Sequence, residues 1–410
     1  MLCTPAGADA ARVRVPPALA ALALSLLLGL QPVTTDVYLP ALPMLRQALA
    51  APMGQVQLTM SALILAFGLA QMVWGPVADR IGRRPVLLAG LALYTLAAAG
   101  CTQAAGIEQL IAWRALQGAA MAAAVVCARA IVRDLYEPVQ GAHVMTLALS
   151  GLGLIALLGP PLGGVAAQFF GWRGPLALVT AVGAATLAFV AWRLPETLPA
   201  AQRTAARRGP LFATWGAIAR EPVFGAWALL VACTYGGLFT LLAGSSFVFM
   251  DVLGFAPAAY GAAMALGSLS YIAGTFACRR WIARHGVAGT VWRGGWFTLA
   301  GGLTMALPAA FGVQSAWAVL GGYVLYAFGH GMHQPCGQAG VVAPFPRHAG
   351  AASALAGLLL ALVAFGVGLW LGVALDGSVR PLAFSFAFWA LLTCTVAWTL
   401  VQRLPRPGAR

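Results

Sequence analysis

Three sets of polar groups stand inside runs too apolar to solvate them. Asp36 lies in QPVTTDVYLPALP (31–43), directly after LALSLLLGL. Arg114 and Gln117 lie in AWRALQGAAMAAAVVCARAIVRDLY (112–136). His330, His333 and Cys336 recur at steps of three in GHGMHQPCG (329–337), with Gln334 among them. A carboxylate in such a run can exchange a proton or hold a cationic group. A guanidinium there costs at least ~2.5 kcal/mol against lipid and needs a cavity and a partner, unless it snorkels to the surface. Asp36 sits about three residues, roughly 5 Å, inside one end of its run, and Arg114 about seven residues, roughly 10 Å, inside the same side of its own. Their depths agree within about a turn, so an Asp36–Arg114 pair is expected; a simple cap at the water interface is the bland alternative for the acid. Steps of three keep His330, His333 and Cys336 near one helix face. Neutral His can titrate near physiological pH, so the choices there are polar packing, proton or substrate contact and, last, metal, since one helix rarely supplies a closed ligand set.

Other chemistries lack their parts. Glu108, Glu137, Glu196, Glu221, Asp251 and Asp376 fall singly at loops or run ends, so no paired-carboxylate enzyme site is visible. All 24 basic residues are Arg, and without Lys there is no phosphate-binding loop of an ATP-driven pump. No ring of like charges suggests a channel. No metal and no cofactor are expected.

The elements that must carry these groups follow from composition. The chain has 410 residues, 61% hydrophobic and 8% charged, against roughly 25% charged in soluble domains, which places it in a lipid bilayer. A net charge of +14 suits nucleic acid in principle, but the Arg form short clusters between apolar runs, with no basic face or base-stacking module. The seven Cys are scattered without C-x-x-C pairs, so no disulfide framework is expected. The first 16 residues could open a signal peptide, but the apolar run continues to about residue 39 and reads as an uncleaved first span.

A span needs about 20 mostly apolar residues. Twelve are expected, near 17–39, 56–77, 85–105, 107–133, 142–168, 173–194, 222–250, 258–281, 287–311, 315–340, 349–375 and 380–403, all helical because helices satisfy their own backbone in lipid. Twenty Arg then fall on one side and four (Arg46, Arg114, Arg173, Arg380) on the other, which puts both termini in the cytoplasm. The stretch 195–221 divides the spans six and six. It is the expected linker between bundles 1–194 and 222–410. GPVADRIGRRP (75–85) after span 2 has a degraded echo, GTFACRRWIARHG (274–286), after span 8, in keeping with two parallel repeats around a central cavity.

GPVADRIGRRP resembles the G-x-x-x-D-R-x-G-R-[RK] loop of the major facilitator superfamily. The resemblance implies a cytoplasmic latch of Gly75, Asp79, Arg80, Gly82, Arg83, Arg84 and Asp134. Asp79 would face the amino end of span 11, and Arg83 would pair with Asp134. Arg114, Gln117 and Gly118 are similar to the superfamily's R-x-x-Q-G motif. TTDVYLPALP closely resembles the end of span 1 in the Bcr/CflA (bicyclomycin and chloramphenicol resistance) branch of drug:proton antiporters. RAIVRDLY (129–136) and APFPRHAGAASALAG (343–357) extend that likeness along nearly the whole chain.

LLGPPLGG (157–164) resembles the antiporter motif G-P-x-x-G-G through Gly159, Pro160, Gly163 and Gly164, although Ile155 stands where the family has Gly. Small residues there permit close helix approach.

The family's spans 1, 4, 7 and 10 line the cavity. The resemblance therefore implies a substrate site of Asp36, Tyr38, Arg114, Gln117, Tyr235, Phe239, His330, His333 and Gln334, with Ser245 and Phe247 nearby and proton coupling at Asp36 and Arg114. The implied protein is an all-α polytopic membrane protein with twelve transmembrane helices in two pseudo-symmetric six-helix bundles. It would be a monomer in the bacterial inner membrane, exchanging protons for small amphipathic drugs and binding no nucleic acid. A proton-coupled transporter of a sugar or amino-acid derivative is the alternative, and a polytopic membrane enzyme a distant third.

Overall fold

Proline opens many of the helices, as suits a residue with fixed φ and no N–H to leave unpaired. Pro17, Pro138, Pro222 and Pro257 each stand in a first turn. The computed structural model describes residues 15–198 and 211–404 and holds no strand among them. Cys3, Arg12, Arg14, Arg203, Arg207, Arg208, Arg406 and Arg410, and with them the termini and the middle of the expected linker, lie outside the described residues.

The helices of the first half are α1 (Pro17–Asp36), α2 (Ala41–Ala48), α3 (Met53–Ile81), α4 (Arg83–Thr102), α5 (Ile107–Leu135), α6 (Pro138–Phe170) and α7 (Arg173–Arg193). There follow α8 (Leu211–Ala219) and α9 (Pro222–Phe247), the latter continuing as a π turn, Val248–Val252. The helix Pro257–Ala310 runs 54 residues, far beyond one bilayer crossing, and Gly286 breaks it into α10 (257–285) and α11 (287–310). Last come α12 (Ala316–Val342), α13 (Ala349–Ala374) and α14 (Arg380–Trp398).

Among the described residues, ten continuous helices are long and apolar enough to cross a membrane. Dividing Pro257–Ala310 makes eleven. The twelfth is α12, whose two His, two Gln and glycines dilute its hydropathy. The long helices α1, α3–α7 contact one another, as do α9–α14. The two groups meet mainly where α3 lies on α13 and α6 lies on α10, with α2 touching α9. The result is two groups of long helices, the arrangement that the resemblance implies.

One local expectation changes. GPVADRIGRRP is not an open loop: α3 runs to Ile81 and α4 starts at Arg83, so only Gly82 (φ 117°, ψ 161°) leaves the helix. That conformation is essentially restricted to Gly. Gly286 (φ 69°, ψ 178°) makes the same kind of break at the matching place in the second half. The helix α8 occupies the end of the stretch 195–221.

Candidate functional site

Arg114 is fully buried and does not meet Asp36. Its Nη1 donates to Gln117 Oε1 at 2.9 Å, its Nη2 to the Thr34 carbonyl at 3.2 Å and its Nε to the Thr59 carbonyl at 3.3 Å, while its Cζ lies 4.3 Å from the centre of the Tyr38 ring. Thr34 belongs to the last turn of α1, whose carbonyls have no helical donor beyond the helix end. A cation is favoured at that end. Arg114 thus caps α1 and ties it to α3 and α5. Tyr38 and Gln117 are fully buried in the same staple, and the Tyr38 hydroxyl donates to Thr59 Oγ1 at 3.0 Å. These three groups were expected to touch substrate; the structure seals them in packing.

The reason for the failed pairing is azimuth. Thr34 and Asp36 are two residues apart, and at 3.6 residues per turn they point to nearly opposite sides of α1. Thr34 faces Arg114. Asp36 faces α6, where a Cβ at Gly159 would be in ordinary van der Waals contact, 3.6 Å from the Cβ of Asp36. Thr35 Oγ1 donates to Asp36 Oδ1 at 2.7 Å, and Tyr235, Tyr260 and Tyr323 lie within range of the carboxylate's charge. Asp36 is half-buried, and no guanidinium comes within 4 Å of it among the described residues.

The antiporter-like motif is the plate beneath Asp36. Gly163 lies against the Val37 backbone and Gly164 against Pro257 at the start of α10; the Pro160 carbonyl in turn lies against Gly261. One stretch of α6 therefore touches both the acid's helix and the opposite half. Ile155, the departure from the family pattern, packs directly over Gly29 of α1. The small residue has moved to the facing helix.

About one and a half turns along α1 from Asp36, Gln31 lines a cavity of about 100 Å³. Tyr235 of α9, Gln71 of α3, Arg129 of α5 and Gln334 and Gln338 of α12 complete its polar wall. Gln334 Oε1 is buried without a hydrogen-bond partner among the described residues. Tyr235 and Gln334 are thus on this cavity wall. Phe239 is not: it is fully buried, 6.2 Å centre to centre from the Tyr235 ring.

His330 and His333 also turn away from this cavity. His330 Nδ1 is 2.9 Å from Thr234 Oγ1 of α9, and its ring lies 5.6 Å from that of Tyr271 on α10. His333 is fully buried, with Nε2 3.1 Å from the Val291 carbonyl and Nδ1 3.5 Å from Thr298 Oγ1, both on α11. Cys336 Sγ meets Cys278 Sγ at 3.6 Å. The drift of a three-residue step carries this face toward α10 and α11, while the four-residue pair Gln334 and Gln338 points inward. Glutamines inside apolar runs were the available signal for the cavity wall, and Gln31, Gln71 and Gln338 went unread.

On the Arg-rich face, Arg83 holds two carboxylates: Nη1 donates to Asp79 Oδ1 at 2.6 Å and Nε to Asp134 Oδ2 at 3.0 Å. The expected Arg83–Asp134 pair is present. Asp79 bonds Arg83 of its own half instead of the start of α13, and a cavity of about 180 Å³ lies between Asp79 and Gly350 and Ala351. Glu196 is the member that motif reading missed. Its two oxygens accept from the Arg83 and Arg84 amides at 2.9 and 3.2 Å and so cap α4. Arg84 Nη2 donates to the Ala191 carbonyl at 2.9 Å, while Arg80 is exposed.

The Major Facilitator Superfamily family model matches residues 24–369. The chain is 31% identical over 337 residues to multidrug resistance protein D of Escherichia coli, covering 82% of this chain and 84% of that one. It is 27% identical over 265 residues to a bicyclomycin resistance protein homolog of Haemophilus influenzae, covering 65% and 67%. Among solved structures, the human organic anion transporter MFSD10 superposes with a TM-score of 0.69 at 22% identity, covering 94% of this chain and all of that one, which shows a shared fold.

Proposed function

Because this chain belongs to the major facilitator superfamily, in its Bcr/CflA branch of drug-resistance transporters, we propose that it is a proton-driven antiporter that exports small amphipathic drugs. It is a multi-pass membrane transporter of the multidrug efflux type. The finer reading rests on Asp36: a carboxylate within a membrane span, without a basic partner among the described residues, seated on the antiporter-like motif and close to a glutamine-lined cavity. In this reading Asp36 carries the proton. Arg114 keeps the end of α1 in place. Cargo occupies the space between Tyr235, Gln31 and Gln334, in keeping with the neutral donors and acceptors found there.

The two bundles, 1–194 and 222–410, rock about the α3–α13 and α6–α10 contacts, joined by the linker 195–221. Cargo and proton each favour one of the two states, which is what couples their movements. Gln57 Nε2 donates to the Ala243 carbonyl at 2.8 Å across the halves and serves as the contact on the side away from the Arg clusters. The Arg-rich face is cytoplasmic, in a bacterial inner membrane, and the unit of transport is the monomer.

The decisive experiment is a substrate screen in proteoliposomes with an imposed pH gradient, beginning with chloramphenicol and comparing wild type with Asp36→Asn. The wild type should concentrate drug against its gradient. The variant should lose gradient-driven movement by at least about tenfold while still exchanging drug at equilibrium. Intact gradient-driven transport in a well-expressed Asp36→Asn protein would contradict the assignment.

A further inference from the structure

Two cavities meet at three side chains. The glutamine-lined cavity and the one behind the latch share Gln71, Arg129 and Ser353 as wall residues. Arg129 lies on α5, near the Arg-rich end of that span, and its side chain is exposed to the space it lines. Its Nη1 donates to Ser353 Oγ at 2.8 Å, and Ser353 belongs to α13 in the other half. This bond crosses between halves at the inner mouth. Arg133, one turn away, adds a second positive charge and bonds the Arg129 carbonyl through Nε at 3.4 Å.

The charge of Arg129 is not neutralised locally. No carboxylate lies within 4 Å of it among the described residues, and the nearby acids Asp79 and Asp134 are taken by Arg83. Its one side-chain partner in the passage is a neutral hydroxyl. A guanidinium carries five donors in a planar fork and binds a carboxylate or similar oxygen group better than a lone serine oxygen. A carboxylate offered to the same guanidinium makes the stronger bond of the two.

We propose that Arg129 is the docking point for an oxygen-acceptor group of the cargo, an anionic one above all, and that docking displaces Ser353 and opens the inner mouth. The inference rests on the transporter reading above and specifies its substrate class. Cargo binding and the parting of the halves become a single exchange of hydrogen bonds. Cations are disfavoured beside Arg129, because Arg133 stands one turn away and Asp79, the acid in the same cavity wall, is paired with Arg83.

The test is an equilibrium titration of purified full-length protein in nanodiscs of zwitterionic lipid, followed by saturation-transfer NMR. The probes are benzoate and benzylammonium, one ring with opposite charges. No gradient is applied, so a failure of proton coupling at Asp36 leaves the outcome unaffected. Wild type should hold benzoate about tenfold more tightly than benzylammonium, the range of one charge-assisted hydrogen bond. Arg129→Gln should lose that preference, while Arg129→Lys should keep part of it, which separates loss of charge from misfolding. Ser353→Ala should bind benzoate several-fold more tightly, since Arg129 then gives up nothing. A wild type without preference, an unchanged Arg129→Gln, or a Ser353→Ala with weakened benzoate binding would each overturn the proposal.

Discussion

The breaks at Gly82 and Gly286 occupy matching places in the two halves and share one backbone conformation, yet they are held differently. Around Gly82, Arg83 bridges Asp79 and Asp134 while Glu196 caps α4. Around Gly286, Arg279, Arg280 and Arg284 crowd the end of α10 with no carboxylate within 4 Å among the described residues, and the Arg279 guanidinium lies 5.4 Å from the centre of the Phe276 ring. The backbone break and the positive charge are common to both and belong to topology. The acids belong to the first half alone, where they glue α3, α4, α5 and the segment after α7 into one rigid corner.

The largest expected effect follows from that glue. Arg83→Gln strands two carboxylates, one of them at Asp134 with its side chain only 12% exposed, and should cost about 2 to 4 kcal/mol. Arg280→Gln at the other break should stay within about 0.5 kcal/mol. Thermal unfolding of the detergent-solubilised proteins reads both, and equal losses would erase the contrast.

Next come the glycines. Gly82→Ala and Gly286→Ala should each cost about 1 to 3 kcal/mol, because both positions lie in a region essentially closed to residues with a Cβ. Similar losses in the same unfolding assay support a shared backbone device; a tolerant Gly286 would confine it to the first half.

The smallest effect divides the two acids. Asp134→Asn should cost about 1 kcal/mol, and Asp79→Asn less, since the Asp79 side chain is 50% exposed and its pair is screened by water. Asp79→Asn should instead impair drug transport in vesicles at normal expression, which marks it as a moving part. A destabilisation by Asp79→Asn exceeding that by Asp134→Asn would reverse the roles.

Much of this corner was legible in the chain. The G-x-x-x-D-R-x-G-R-[RK] pattern held Asp79, Gly82, Arg83 and Arg84, and the family resemblance added Asp134; Glu196 lies more than a hundred residues away and shows no local signal. The interior was less legible. Asp36 and Arg114 agree in depth and still do not pair, and His330, His333 and Cys336 share a face that turns out to be a helix–helix contact. Gln31, Gln71 and Gln338 line the cavity although each looks unremarkable within its run.

The chain by itself determined how many times it crosses, where it breaks at glycine and which loops carry the arginines. Each of these is a sum over about twenty neighbouring residues, or the property of one residue without a Cβ. Only the tertiary structure decided azimuth: that Thr34 and not Asp36 meets Arg114, that Gly159 lies beneath the acid, and that Arg129 reaches Ser353. A rotation of 100° per residue is set by the packing of distant helices, and no local sum contains it.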